Sequence, residues 1–203
     1  MKWFRCLVIV SLSFFVWGNA EAGTYSLNLR YQSLKDLSSL QAKVGSTLAM
    51  VPFKDERPET LYIGLHTNLK GDVTYFRRNP YPLEKAIGES LSEALSRYGI
   101  KIIPIPLWDD KPESLKNLET DSVLMIEIKR FWTESKASFL GTKVKTVIQL
   151  VIHLGVKREG KVFTRGVEVE KEMTVPRSTP ERVETMMNQM LTEMFDSYFS
   201  NPY

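Results

Sequence analysis

The chain has 203 residues, 43% of them hydrophobic, and a formal net charge of +3. That length suits one domain with a real core. Its acids and bases are interspersed, with no Lys/Arg block or basic–aromatic stripe, which speaks against a nucleic-acid partner.

The first 22 residues have the three parts of a secretory signal. Lys2 and Arg5 make a positive start, Cys6 to Trp17 is an uncharged and mostly apolar run, and Ala20-Glu21-Ala22 matches an A-x-A cleavage site. The run is too short for a membrane span, which takes roughly 20 apolar residues. We therefore expect residues 1–22 to be a signal peptide cleaved near Ala22, leaving a single domain, 23–203, in the periplasm. Cys6 is the sole cysteine. It sits at the start of the apolar run, where a lipoprotein acceptor would sit at its end. Its removal would exclude disulfides, Cys-based metal sites and Cys nucleophiles from the mature domain. Loss of Lys2, Arg5 and Glu21 lowers the net charge from +3 to +2.

Along the rest of the chain, Tyr25 to Tyr31 alternates like a strand, and a polar stretch leads to Ser46. Leu48 to Phe53 is a short apolar strand ending in Asp55-Glu56-Arg57-Pro58. Residues 58–81, with Gly64, Gly71, Pro80 and Pro82 nearby, read as a long surface connection of the kind that is often functional. Pro82 opens a helix whose apolar face is Leu83, Ile87, Leu91, Ala94, Leu95 and Tyr98, with Gly99 as its stop. Ile100 to Ile105 is a strand limited by Pro104 and Pro106, near a sheet edge. Val123 to Ile128 is another, running on towards Phe131 and Trp132.

A two-residue turn at Glu159-Gly160 predicts a hairpin. It would set Val156 opposite Phe163, Leu154 opposite Arg165, Ile152 opposite Val167, Leu150 opposite Val169 and Ile148 opposite Lys171. One face is then mainly apolar and the other mainly polar, as a sheet covered on one side requires. Ser178 to Glu181 reads as a capping box for a last helix. Its stripe is Val183, Met187, Met190, Leu191, Met194, Phe195 and Tyr198. The expected fold class is α+β, a mainly antiparallel sheet with two amphipathic helices packed on one face.

Chemistry is sparse. His66 and His153 are the two histidines, and neither lies in a G-x-S-x-G or H-E-x-x-H pattern. His153 reads as a strand residue on the polar face. His66 could act as a base with loop carboxylates such as Asp55 or Asp72, which is the alternative reading of an exported hydrolase. Asp55-x-Arg57 could grip an anion as a fork, or could tie its own loop to the sheet. Asp109-Asp110 reads as a polar turn, since adjacent carboxylates lack the spacing of a calcium loop. No metal, cofactor or catalytic set is expected. Met187, Met190 and Met194 are either core filler or the lining of a helix–sheet cleft for a lipid-like or peptide ligand. Tyr62, Tyr75, Phe76 and Tyr81, together with Arg77 and Arg78, either form the other candidate binding surface or cover the sheet edge.

The strand ending Val51-Pro52-Phe53-Lys54-Asp55-Glu56-Arg57, followed by Ile63-Gly64, precedes a helix of Leu-x-x-Ala-Leu spacing closed by Tyr98-Gly99. Paired strands and a last amphipathic helix complete an order that resembles the YajG-type lipoproteins of Gram-negative envelopes. More distantly it is similar to auxiliary lipoproteins of ABC-type envelope transport. The resemblance implies an envelope setting, in maintenance or lipid transport, and carries over no catalytic residues. This chain departs from the pattern in having no acceptor cysteine. We therefore expect a non-enzymatic periplasmic accessory or binding protein. Its partner would be an envelope protein or lipid-like ligand, and its membrane contact peripheral at most.

Overall fold

A computed structural model describes residues 23–78 and 82–203. The expected signal peptide, residues 1–22, lies outside the described residues. Two long helices, one short one and a large sheet form the α+β architecture expected from the sequence.

The sheet is organised around one strand, β7. In chain order the strands are β1 (Thr24–Leu27), β2 (Thr47–Met50), β3 (Lys54–Asp55), β4 (Gly64–Thr67), β5 (Val73–Arg78), β6 (Lys101–Pro104), β7 (Ser122–Ser138), β8 (Gly141–Val156) and β9 (Lys161–Val175). The long β7, β8 and β9 form an antiparallel meander. On the other side of β7, three short strands line up parallel to it: β2 against its start, β3 against its middle and β4 against its upper half. β6 extends the sheet from β2, while β5 pairs antiparallel with β4 and carries β1 at the far edge.

Residues 58–78 therefore differ from the expected long connection. They hold the β4–β5 hairpin, turned at Asn68–Gly71, where the Asn68 side chain accepts from the backbone N–H of Lys70 (2.8 Å) and Asp72 (2.9 Å). Gly64, read as a loop breaker, is needed for close approach instead. A Cβ there would stand 2.2 Å from the Thr133 carbonyl oxygen, at φ 155°. The polar stretch before Ser46 also contains a short helix, α1 (Leu40–Val44), anchored by buried Leu37, Leu40 and Val44.

The last hairpin keeps the predicted faces but slips by two residues. Its loop is Lys157–Gly160, a 3-10 turn over Lys157–Glu159 with Gly160 left-handed at φ 61°. Leu154 now faces Phe163, Ile152 faces Arg165, Leu150 faces Val167 and Ile148 faces Val169. A slip of two preserves the side-chain alternation. Arg165 reaches past Ile152 to donate to the Asn201 carbonyl at 3.1 Å.

Both long helices cover the same face. α2 (Leu83–Ser96) lies over β3 and β6, and α3 (Pro180–Ser200) over β1, β8 and β9. Leu91, Leu95, Met187, Met190, Leu191 and Phe195 join Leu124, Ile126, Leu150 and Ile152 in one core. The α3 cap is Thr179, one residue beyond the expected Ser178, and its hydroxyl accepts from the Arg182 N–H. On the opposite face, a strap through residues 105–118 buries Trp108 and Leu115 against Ala49, Val51, Val123 and Met125. No helix among the described residues is long and apolar enough to cross a membrane.

Candidate functional site

A β-bulge between Ile128 and Arg130 marks the gap between β3 and β4 along β7. In that gap residues 57–62 leave the sheet and return, and Arg57 closes the excursion. Its Nε and Nη2 grip the Asp55 carboxylate at 2.8 and 2.7 Å, a bidentate fork. Its remaining N–H groups donate to the carbonyls of Thr60 (3.2 Å), Tyr62 (3.0 Å) and Phe131 (3.2 Å). Every guanidinium donor is thus engaged and the side chain is buried. The structure places Asp55 and Arg57 as a clamp on the loop and leaves no donor for an anion.

The aromatic surface expected at Tyr62, Tyr75, Phe76 and Arg77 is divided, and Tyr81 lies outside the described residues. Residues 73–78 form a strand, so neighbouring side chains point to opposite faces. Tyr62 and Tyr75 stack with ring centroids 4.4 Å apart. Exposed Arg77 shares the Tyr75 side, whereas Phe76 is buried in the core on the other. Met187, Met190 and Met194 are buried too, at 0, 0 and 3% exposure. The expected cleft beneath α3 is packed shut, because those thioethers fill it.

His66 lies on the helix side of β4. Its Nδ1 is 2.9 Å from the Ser135 hydroxyl, and desolvation holds its pKa below the ordinary histidine value. His66, Asp72, Ser138 and Arg177 line an open cavity of about 510 Å³. Ser135 is fully buried. Asp55 is beyond reach as a partner. It pairs with Ile128 and His66 with Ser135, about 20 Å apart along β7.

His153 proves buried, its Nδ1 bonded to the Thr164 hydroxyl at 3.0 Å, with Asp110 and Glu127 each 3.9 Å away. The strap packed against the polar face explains this burial. No group of three or more potential metal ligands occurs among the described residues.

The structure does open a helix–sheet groove, beneath α2 instead of α3. It measures about 870 Å³ and runs between α2 and the β2–β6 edge. Met50, Phe53, Ile102 and Pro104 make an apolar floor, while Gly88, Ser92 and Ser96 face it from the helix. These three positions recur every four residues and so share one helix face. Being small, they leave a gap that larger side chains would close. The Ser92 hydroxyl is turned back to the Gly88 carbonyl at 2.8 Å, which lessens its polarity towards the groove. Glu84, Lys85, Glu89 and Glu93 form a charged rim. The Gly88-x-x-x-Ser92-x-x-x-Ser96 spacing was visible in the sequence as a signal for this gap, but the apolar stripe on the adjoining face dominates the helix pattern.

No family profile matches the chain, and no curated protein matches it. Among solved structures it is similar to an uncharacterised protein, at 12% identity and a TM-score of 0.44, covering 85% of this chain and 92% of that one. It is similar to the lipoprotein GNA1162 from Neisseria meningitidis, at 15% identity and a TM-score of 0.39, covering 72% and 96%. It is also similar to a neuraminyllactose-binding hemagglutinin homolog from Helicobacter pylori, at 13% identity and a TM-score of 0.43, covering 87% and 91%.

Proposed function

We propose that the chain is a non-enzymatic accessory or binding protein of the Gram-negative cell envelope, held on the periplasmic side, that takes an extended apolar ligand such as a lipid acyl chain in the α2 groove. The carrying observation is the groove itself, about 870 Å³ with a floor of Met50, Phe53, Ile102 and Pro104. That volume lies within the range of small-ligand sites, which are mostly apolar with a few polar groups at the mouth. Pro104 lacks an N–H, so the β6 edge is a poor template for an added strand. Apolar contact is the better account of binding there. The secretory pattern of residues 1–22 and the YajG-type order of elements support the envelope setting.

Gly88→Leu tests the reading. A Cβ at Gly88 meets nothing nearer than the Phe53 ring, 4.0 Å away. A leucine there projects into the groove without backbone strain and favours the helix. Titrated with the fluorescent probe 1-N-phenylnaphthylamine, the wild type should bind saturably and the variant about tenfold more weakly. Equal binding by both would refute the groove as the site.

A further inference from the structure

We propose that the turn of the β7–β8 hairpin is a membrane-contact finger, which inserts Phe139 and Leu140 into the interfacial layer of an anionic lipid surface. Phe139 and Leu140 are 97 and 96% exposed. They fill the two central positions of a tight turn closed by Ser138 and Gly141. Such positions normally carry Asn, Asp or Gly, whose conformational freedom or polar side chains suit a solvated turn. Neither residue here has a positive φ. Turn geometry therefore does not ask for these two residues, and water disfavours them.

The neighbouring loop repeats the pattern. Thr67 of β4 pairs with Lys136 of β7, so the β4–β5 turn projects from the same end of the sheet. That turn carries Leu69, 59% exposed. Two apolar loops thus project side by side, a convex shape that suits a penetrable surface.

Charge selects the kind of surface. Lys136 stands directly across from Lys143, a like-charge cross-strand pair that is unfavourable without an anion nearby. Glu172 engages Lys143 at 2.8 Å, whereas Lys136 makes no ion pair among the described residues. Lys70 adds a charge on the β4–β5 turn, and Arg177 follows the end of β9. The acids around this end are Glu134 and Glu172, in one row across the sheet with Lys145 between them, Glu181 at the start of α3, and Asp72, bonded to the Asn68 amide at 2.8 Å. Cations behind an apolar tip complement anionic headgroups around a partly inserted side chain. The finger is distinct from the α2 groove, so the two readings fail separately.

The test is sedimentation of the purified full chain with vesicles of phosphatidylethanolamine and phosphatidylglycerol, and with vesicles of phosphatidylcholine alone. The wild type should prefer the anionic vesicles and be released by salt. The double variant Phe139→Ser/Leu140→Ser has the same amino terminus, and substitution at exposed turn positions leaves the fold intact. It should bind about tenfold or more weakly. Phe139→Trp should blue-shift in emission on vesicle addition. The proposal is overturned if the double variant sediments like the wild type, if lipid charge makes no difference, or if the wild type does not bind. It is also overturned if the variant instead dissolves a self-association, which would make a second copy the partner.

Discussion

Arg57→Lys isolates the contribution of a fork from that of a charge. The guanidinium makes two bonds to Asp55 and three to the carbonyls of Thr60, Tyr62 and Phe131. A lysine ammonium keeps the charge but offers three donors from one point. At least two acceptors lose their partner. An unsatisfied buried acceptor costs about 1–3 kcal/mol, and the Phe131 carbonyl, a buried contact inside the sheet, has the least access to replacement water. We expect a loss of about 2–4 kcal/mol, a large share of the 5–15 kcal/mol typical of a whole domain. In a chain of this size that lowers Tm by roughly 5–15 °C. Urea denaturation at neutral pH should show the midpoint falling with m unchanged. Inorganic phosphate should leave the wild-type midpoint where it is, since no Arg57 donor is spare. A lysine variant within about 0.5 kcal/mol of the wild type, or clear stabilisation by phosphate lost in the variant, would refute this account.

Three further outcomes follow from the geometry. Asp121 accepts bonds from the hydroxyls and backbone of Thr47 and Ser46, which hold its carboxyl below the ordinary aspartate range. A depressed folded value gives stability that is complete well above the unfolded value of about 3.9 and is lost as pH falls through the folded one. Asp121→Asn should therefore be less stable than the wild type at neutral pH, with the gap closing in acid, and a gap independent of pH would count against it. Gly64→Ala, whose Cβ would sit 2.2 Å from the Thr133 oxygen, should cost about 3 kcal/mol or more by urea denaturation. Deleting Lys129, the extra residue of the bulge, should straighten β7 and move β4 by about 3.3 Å relative to β3. The Arg57 bond to Phe131 would then break, so stability should drop well beyond the loss of the Lys129 ion pairs to Glu56 and Glu127, measured separately in Lys129→Ala.

The elements that were legible in the sequence are those whose signals are local. α2 and α3 carry their stripes within one segment, and the β8–β9 hairpin announces its own turn. Its register was read two residues away because a four-residue loop replaced the two-residue one, yet every side chain stayed on its expected face. The β4–β5 hairpin was hidden for the opposite reason. Its place in the sheet comes from parallel pairing with β7, Gly64 with Thr133, which leaves no trace between neighbours in sequence. Gly64 and Gly71 then looked like punctuation. The bulge at Lys129 misleads similarly. Even-numbered residues face the helices up to Ile128 and odd-numbered ones from Phe131 onwards, so no single alternation describes β7.

The candidate sites follow a different logic from the fold. A core is recognised by what is present, and the methionines of α3 drew attention because they are large, apolar and periodic. Those properties are what bury them, at 0–3% exposure. A groove is made by what is missing. Gly88, Ser92 and Ser96 form one only because Met50, Phe53, Ile102 and Pro104 arrive beneath them from strands distant in the chain. The hairpin tip is the converse case. Phe139-Leu140 sits between two strands that continue one another, so a linear reading takes it for more strand. Its meaning changes once β7 and β8 turn back there and expose both side chains. Binding surfaces of both kinds depend on which segments meet, and this chain settles that largely through pairings to β7 from far along the sequence.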